Sequence, residues 1–363
     1  MQIKKIIFAV TNDLNNDQRM HKICGSLQAA GYKVLLVGRS KRSSKPLSAK
    51  SFNQIRLSCF FEKGKLFYIE YNIRLFFKLI FTPADIVCTI DLDTIVPCAI
   101  AGKWKGCKLV YDAHEYFTEV PEVMHRPAIQ KTWRWVEQRF VPRMDACYTV
   151  SQSLADLFHE KYRIPFSLII NAPILVKDPE PITIPDQRYM LYQGALNMGR
   201  GLEMLIEAIK QVPIRLYIAG EGDLSEALRQ QVKNSGLTDK VIFLGMISPE
   251  ELKKITAAAF LGYNLLENLG LSYYFSLSNK FFDYIHACIP GISNHFPEYE
   301  RINSAYEVAI LTNLSVSEIV LSIERALKDK TYYESLVENC KIAKQVFNWQ
   351  AEEKKLIQIY NAL

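Results

Sequence analysis

Short apolar runs rich in β-branched residues alternate with longer stretches of helical period along nearly the whole of this 363-residue chain, and that rhythm admits few folds. Residues 6–10 (IIFAV), 33–38 (KVLLVG), 85–90 (DIVCTI), 108–112 (KLVYD), 146–150 (ACYTV) and 167–170 (SLII) are close to continuously apolar. A strand on a half-wet sheet alternates polar with apolar residues. One that is apolar throughout is covered on both faces, which implies parallel strands joined by helical crossovers. Helical periods intervene over residues 17–30, 93–103 and 128–141. After a proline-rich stretch at 173–185 (PILVKDPEPITIP), which has the composition of a linker, the series restarts at 189–194, 214–220, 241–245, 260–266, 290–294 and 307–311. A chain this long exceeds what one core serves. The expectation is an α/β protein with two open parallel sheets in tandem. One domain covers residues 1–175 and the other 176–345, with a last helix at about 346–363 packing back on the first.

Eight cysteines lie at 24, 59, 88, 98, 107, 147, 288 and 340, none at the close spacing of zinc or redox pairs, and they read as reduced thiols. The opening apolar run is five residues long and leads into polar TNDLNND, so it reads as a strand, and the expected location is the cytoplasm. The greasiest region, residues 66–81, carries Glu70, Arg74 and Lys78 at four-residue intervals, which excludes a membrane span. It fits an amphipathic helix packed on its own sheet, and it also fits contact with a membrane surface. Residues 1–175 hold 25 Lys and Arg against 15 Asp and Glu, a balance of +10, whereas residues 176–363 hold 19 against 23, a balance of −4. The basic half suits an anionic membrane face or a lipid phosphate. The segment 125–143, with five Arg and Lys and Trp133 and Trp135, suits a headgroup region or a core helix with a basic outer face. Nucleic acid is not expected, for no recognition module or basic helix with interleaved aromatics occurs.

Residues 194–210 (GALNMGRGLEMLIEAIK) read as strand, glycine turn and helix. Gly194 permits the turn, the helix start near Gly199 offers unpaired N–H groups to an anion, and Arg200 could grip a diphosphate bidentately or lie solvated on an ordinary turn. AGEGD at 219–223 repeats the pattern, with Gly220 and Gly222 open to close approach by a base or ribose and Glu221 between them. Residues 276–294 (SLSNKFFDYIHACIPGISN) place Ser278, Asn279, Lys280 and Asp283 on or before a helix. Lys280 and Asp283 are one turn apart, fit to meet phosphate and ribose, or simply each other.

In this order these motifs resemble the group 1 (family 4) retaining glycosyltransferases over nearly the whole chain. RG at 200–201 stands for the family's Lys-Gly, GEG at 220–222 for its second turn, and KFFDYIHACIP, with Asp283 seven residues before Pro290, for its K-L-F-E-Y-M-A-x-G-x-P. The resemblance implies the GT-B fold, two Rossmann-like domains with parallel sheets facing across a cleft. It also implies a nucleotide diphosphate sugar as donor and a glycan or lipid-linked acceptor in cell-envelope polysaccharide synthesis. The protein would work at the inner face of the membrane, in peripheral contact with anionic lipid. Three positions depart from the pattern: Ala195 replaces an arginine, Asp283 a glutamate, and Phe275 the first carboxylate of an E-x7-E pair, for which Ser276, Ser278 or Glu267 could substitute.

In the first domain the resemblance places Asn15, Asp17, Arg19 and Glu115 on the acceptor side and His114, in the string DAHE, near the transferred sugar. Asp17 equally reads as a helix cap and His114 as a structural histidine. Transfer with retention, no metal and no cofactor is implied, Arg200 and Lys280 neutralising the departing diphosphate with His114 and Asp283 at the reacting centre. Two alternatives stand beside it: a nucleotide-sugar epimerase of the same shape, and a degenerate nucleotide-binding scaffold. A dehydrogenase is disfavoured because no GxGxxG follows the first strand.

Overall fold

The computed structural model describes residues 3–176 and 188–363, so residues 177–185 of the proline-rich stretch lie outside the described residues. The chain divides into two compact units: residues 1–171 with 351–363, and residues 172–350.

Among the described residues the first unit holds seven parallel strands: β1 (Lys5–Ala9), β2 (Lys33–Ser40), β3 (Asn53–Ser58), β4 (Ile86–Ile90), β5 (Lys108–Ala113), β6 (Ala146–Thr149) and β7 (Phe166–Leu168). Their order across the sheet is β3-β2-β1-β4-β5-β6-β7. Helix α1 (Gln18–Ala29) links β1 to β2, α2 (Gly64–Phe81) links β3 to β4, and α3 (Ile95–Trp104) links β4 to β5. Every residue of β4 is buried, as strands covered on both faces require. Strand β3 escapes a reading of apolar runs because it is an edge strand whose sequence, NQIRLS, mixes polar and apolar residues and leaves both ends exposed. The helix Trp349–Asn361 completes this core. Tyr360 is fully buried with its ring 6.0 Å from Phe8 and its hydroxyl 3.3 Å from that of Tyr148, while Glu352 accepts the Ile170 amide at 2.8 Å.

Among the described residues the second unit holds six parallel strands: β8 (Tyr189–Gln193), β9 (Arg215–Ala219), β10 (Val241–Gly245), β11 (Leu261–Asn264), β12 (Gly291–Asn294) and β13 (Ala309–Thr312), in the order β10-β9-β8-β11-β12-β13. Its core joins Met190, Leu216 and Ile218 of the strands to Leu202, Leu205, Ile206 and Ile209, one stripe of the helix Leu202–Ile209.

In both sheets the winding reverses beside the first strand, between β1 and β4 and between β8 and β11. There the two following loops leave in opposite directions and open a crevice at the carboxyl ends of the strands, where open α/β sheets bind ligands. Every cysteine is a free thiol, six of the eight buried. Among the described residues no helix is long and apolar enough to cross a membrane.

Candidate functional site

In the second unit the reversal point is built from two glycine turns pressed together. Gly194 (φ +135°) donates its amide to Ala219 O at 2.9 Å and Leu196 donates to Glu221 O at 3.3 Å. A β-carbon on Gly220 (φ +136°) would lie 1.9 Å from Gly194 O, and one on Gly222 would lie 2.4 Å from Asn197 Oδ1. The close approach that these glycines permit is therefore backbone against backbone, turn on turn, and not only protein against ligand. Glu221 between them pairs with Arg229 at 2.6 Å. Gly201, in the left-handed region at φ +60°, caps the helix Leu202–Ile209, which starts three residues later than the sequence suggests.

Arg200 lies in this turn, its guanidinium 5.3 Å from the centre of the Tyr273 ring. Lys280, in the first turn of the helix Asn279–His286, sets its ammonium 4.5 Å from the centre of the buried Tyr192 ring. Neither cation has a hydrogen-bond or carboxylate partner among the described residues. Burial and the nearby Arg200 charge push Lys280 down to about 7. Two positive groups within electrostatic reach, one short of water and neither neutralised, form a site that an anion would stabilise.

Around them the other groups are held by neighbours. Asp283 accepts from Gln193 Nε2 at 2.8 Å, and Gln193 in turn accepts from Thr256 Oγ1 at 2.8 Å, so the carboxylate is fixed toward the end of β8. Ser278 directs its hydroxyl proton inward to Asn264 Oδ1 at 2.6 Å, which leaves its oxygen only acceptor capacity toward a donor. Asn279 is exposed at the helix start. Ser276 donates to Tyr273 O at 2.7 Å. The Glu267 carboxylate, whose backbone amide bonds Gly199 O at 3.0 Å, has no hydrogen-bond or ion-pair partner among the described residues. Of the three substitutes considered for the carboxylate missing at Phe275, Glu267 is the one whose acceptors stay unused.

The first unit gathers opposite charge at its own reversal point. Asp112, fully buried at the end of β5, binds Arg19 at 2.9 Å through Oδ1 and His114 Nε2 at 2.9 Å through Oδ2. Burial alone would raise Asp112, but the Arg19 and His114 charges outweigh it and lower its pKa. Burial alone would lower His114, and Asp112 raises it. Asp91 follows β4 directly, at φ +52° and ψ −175°, a region almost confined to glycine, and accepts the His114 amide at 2.8 Å. Burial pushes Asp91 up to about 8, against the opposing charge of His114, with Glu115 and Asp93 adding to the rise. Burial takes Asp93 to about 6, although it accepts a hydrogen bond from Thr11 across the β1–β4 reversal. Glu115 is exposed beside this cluster.

The remaining residues read as acceptor-side are held in contacts within their own unit. Arg19, read as acceptor-side, is buried, with its guanidinium on Asp112 and on Ile169 O at 3.0 Å, so it orders the sheet end. Asp17 caps α1 through Met20 N at 3.1 Å. Asn15 donates to Lys45 O at 3.2 Å and Pro46 O at 3.0 Å and accepts from Ser48 N at 3.3 Å, pinning a loop. Sequence reasoning passed over Asp91, Asp93, Tyr192 and Tyr273. The two aspartates had a signal, TIDLDT directly after an apolar strand. The tyrosines had none, since only the fold stacks them beneath the cations. Two open clefts of about 700 and 640 Å³ lie at the opposite, amino ends of the strands, beside Asp145 and Ser167 and beside Ile214 and Lys240, and share no residue with either cluster.

Residues 18–171 match the family model Glycosyltransferase Family 4, and residues 177–343 match Glycosyl transferases group 1. The alpha-monoglucosyldiacylglycerol synthase of Streptococcus pneumoniae is 24% identical over 221 residues, which is 52% of this chain and 49% of that protein. Matches to curated relatives span between 20% and 49% of those proteins' lengths. Among solved structures, sucrose-phosphate synthase from Thermosynechococcus elongatus superposes with a TM-score of 0.81 at 18% identity, covering 99% of this chain and 98% of that one. Anabaena HepE in complex with UDP-glucose gives 0.79 at 16% identity, covering 99% and 100%. At such identities the likeness speaks for fold, and the fold is that of GT-B structures, two Rossmann-like halves.

Proposed function

The chain belongs to the group 1 glycosyltransferases, and from that premise we propose that it transfers a sugar from a nucleotide diphosphate donor to a glycan or lipid-linked acceptor with retention of anomeric configuration. The observation that carries the reading is the pair Arg200 and Lys280, two cations without an anionic partner among the described residues at the β8–β11 reversal. A diphosphate there gains charge-assisted hydrogen bonds, and it gains more as negative charge develops on the departing phosphate oxygen. Asp283 meets the donor ribose, and Glu267 takes sugar hydroxyls in place of the carboxylate absent at Phe275.

In the transfer step the bond from the anomeric carbon to the phosphate oxygen breaks, and its electron pair stays on that oxygen. The acceptor oxygen bonds the anomeric carbon on the face the diphosphate leaves, and the acceptor proton passes to the phosphate oxygen. No nucleophilic side chain is required. A role in cell-envelope glycan or glycolipid synthesis, at the inner face of a membrane, draws support from the diacylglycerol-linked product in the pneumococcal relative's name. UDP-glucose is the first donor to try, since HepE binds it.

The test is nucleotide release from a panel of nucleotide sugars with and without acceptors, with the product's anomeric configuration read by NMR. Acceptor-dependent release is expected, and Arg200→Ala and Lys280→Ala should each lower it about tenfold or more, the worth of one charge-assisted contact. Parent rates in both variants would overturn the assignment. Glu267→Gln should raise KM for the donor and leave binding of the bare nucleoside diphosphate unchanged.

A further inference from the structure

Helix α2 carries two apolar stripes where a surface helix has one. Phe67, Tyr71, Leu75 and Leu79, four residues apart, are buried against the first unit. Leu66, Ile69, Ile73 and Phe77, spaced three, four and four, occupy the opposite face and are each more than half exposed. A helix packed on a sheet normally turns charged and polar residues outward, so the second stripe is not accounted for by folding of this chain.

The stripe continues past the end of the helix. Lys105, just after α3, donates through Nζ to Leu79 O at 2.8 Å and also to Thr82 O, so it ties the carboxyl ends of α2 and α3 together. On either side of that tie, Phe81 is 79% and Trp104 73% exposed, and Ile100 faces outward one turn before Trp104. The flanks are cationic. Lys63, Lys65, Arg74 and Lys78 lie on or beside α2 and Lys103 on α3, while the one acidic residue of α2, Glu70, is already engaged by Arg74 at 2.8 Å and by the amides of Phe60 and Phe61.

We propose that the outer face of α2, continued by Phe81, Ile100 and Trp104, docks on an anionic lipid bilayer, its apolar stripe entering the headgroup boundary and its flanking Lys and Arg meeting lipid phosphates. Charge decides between the two occupants that an apolar face invites. A second copy placed across a two-fold axis on this face would set these lysines and Arg74 against their own images with no spare carboxylate to meet them. An anionic membrane supplies the missing charge to a unit in which residues 1–171 carry a balance of +10. The inner stripe keeps α2 packed on its unit, so its contact is along the surface, over about 27 Å for 18 residues. This deepens the membrane part of the proposed function by naming the surface, and it stands on a separate observation from the donor site.

The experiment is flotation of the full chain with vesicles of phosphatidylcholine alone and with about 30 mol% phosphatidylglycerol. The expected result is co-flotation with the anionic vesicles only, weakened by salt. The double variant Ile73→Ser/Phe77→Ser should keep its thermal midpoint, because both side chains point outward, and lose about tenfold or more in vesicle affinity. Lys63→Glu/Lys78→Glu should lose binding to a similar degree. Unchanged flotation of either variant would overturn the proposal. So would a parent that ignores vesicles and sediments as a dimer that Ile73→Ser/Phe77→Ser dissociates. Donor binding in lipid-free solution should be the same in all variants, so failure of this surface and failure of the donor site are read separately.

Discussion

His114 Nε2 stands 2.9 Å from Asp112 Oδ2, on a carboxylate whose other oxygen is held by Arg19. His114 is thus fixed from behind by a buried anion that is itself neutralised. Removing one member leaves the others uncompensated in a low-dielectric interior.

Asp112→Asn should therefore destabilise the protein by about 3–5 kcal/mol, as should Arg19→Met, while the double variant costs less than the sum. Urea unfolding of the three variants measures this, and additive losses would refute the coupling. The sign with pH follows from the shifts. Asp112, lowered from 3.8, contributes stability above that value that is lost as pH falls through its folded pKa. His114, raised from 6.5, contributes below 6.5 and loses that contribution as pH rises through its folded value.

Asp91 and Asp93 act in the other direction from Asp112. Their folded values, about 8 and about 6, lie above 3.8, so the folded state holds extra protons, and this share of stability is lost as pH rises through those values. Asp91→Asn keeps an acceptor for the His114 amide and removes the charge. The fall in unfolding free energy between pH 5 and pH 8 should shrink by about 1 kcal/mol or more in this variant. An unchanged fall would show that Asp91 is ionised throughout.

Lys280, at about 7, is largely neutral at pH 8 in the free protein. A bound diphosphate favours the ammonium, so binding of UDP at pH 8 should take up a proton. Calorimetry in buffers of different ionisation enthalpy reads this directly, and Lys280→Met should abolish it. In the free protein, unfolding takes up a proton between about 7 and 10.5, so stability attributable to Lys280 rises with pH across that window.

Gly220→Ala should cost about 3 kcal/mol or more and weaken nucleotide binding, since its β-carbon would meet Gly194 O at 1.9 Å from a backbone at φ +136°. Gly236→Ala is the control. It has φ +64° but open space around it, and should cost only about 1 kcal/mol with binding intact. Thermal unfolding and nucleotide titration of both variants separate steric conflict from backbone preference.

The pattern of apolar runs determined the two parallel sheets, because a strand buried on both faces must be apolar throughout whatever its neighbours are. It did not determine β3, whose edge position tolerates Asn53, Gln54 and Arg56. Sequence also set Lys280 and Asp283 one turn apart, a spacing that the helix enforces locally. Only the tertiary structure decided where each side chain turns. Arg19, read as acceptor-side, lies inside because Asp112, 93 residues away, neutralises it there. Asp283 leans to Gln193, Lys280 rests over Tyr192, and Asp91 meets His114 through strand neighbours that no local pattern records. Periodicity reports which face of an element is dry, whereas charge and hydrogen bonding are settled by partners distant in the chain. The fold was thus legible from the sequence, and the electrostatics of its sites were decided by the assembled sheets.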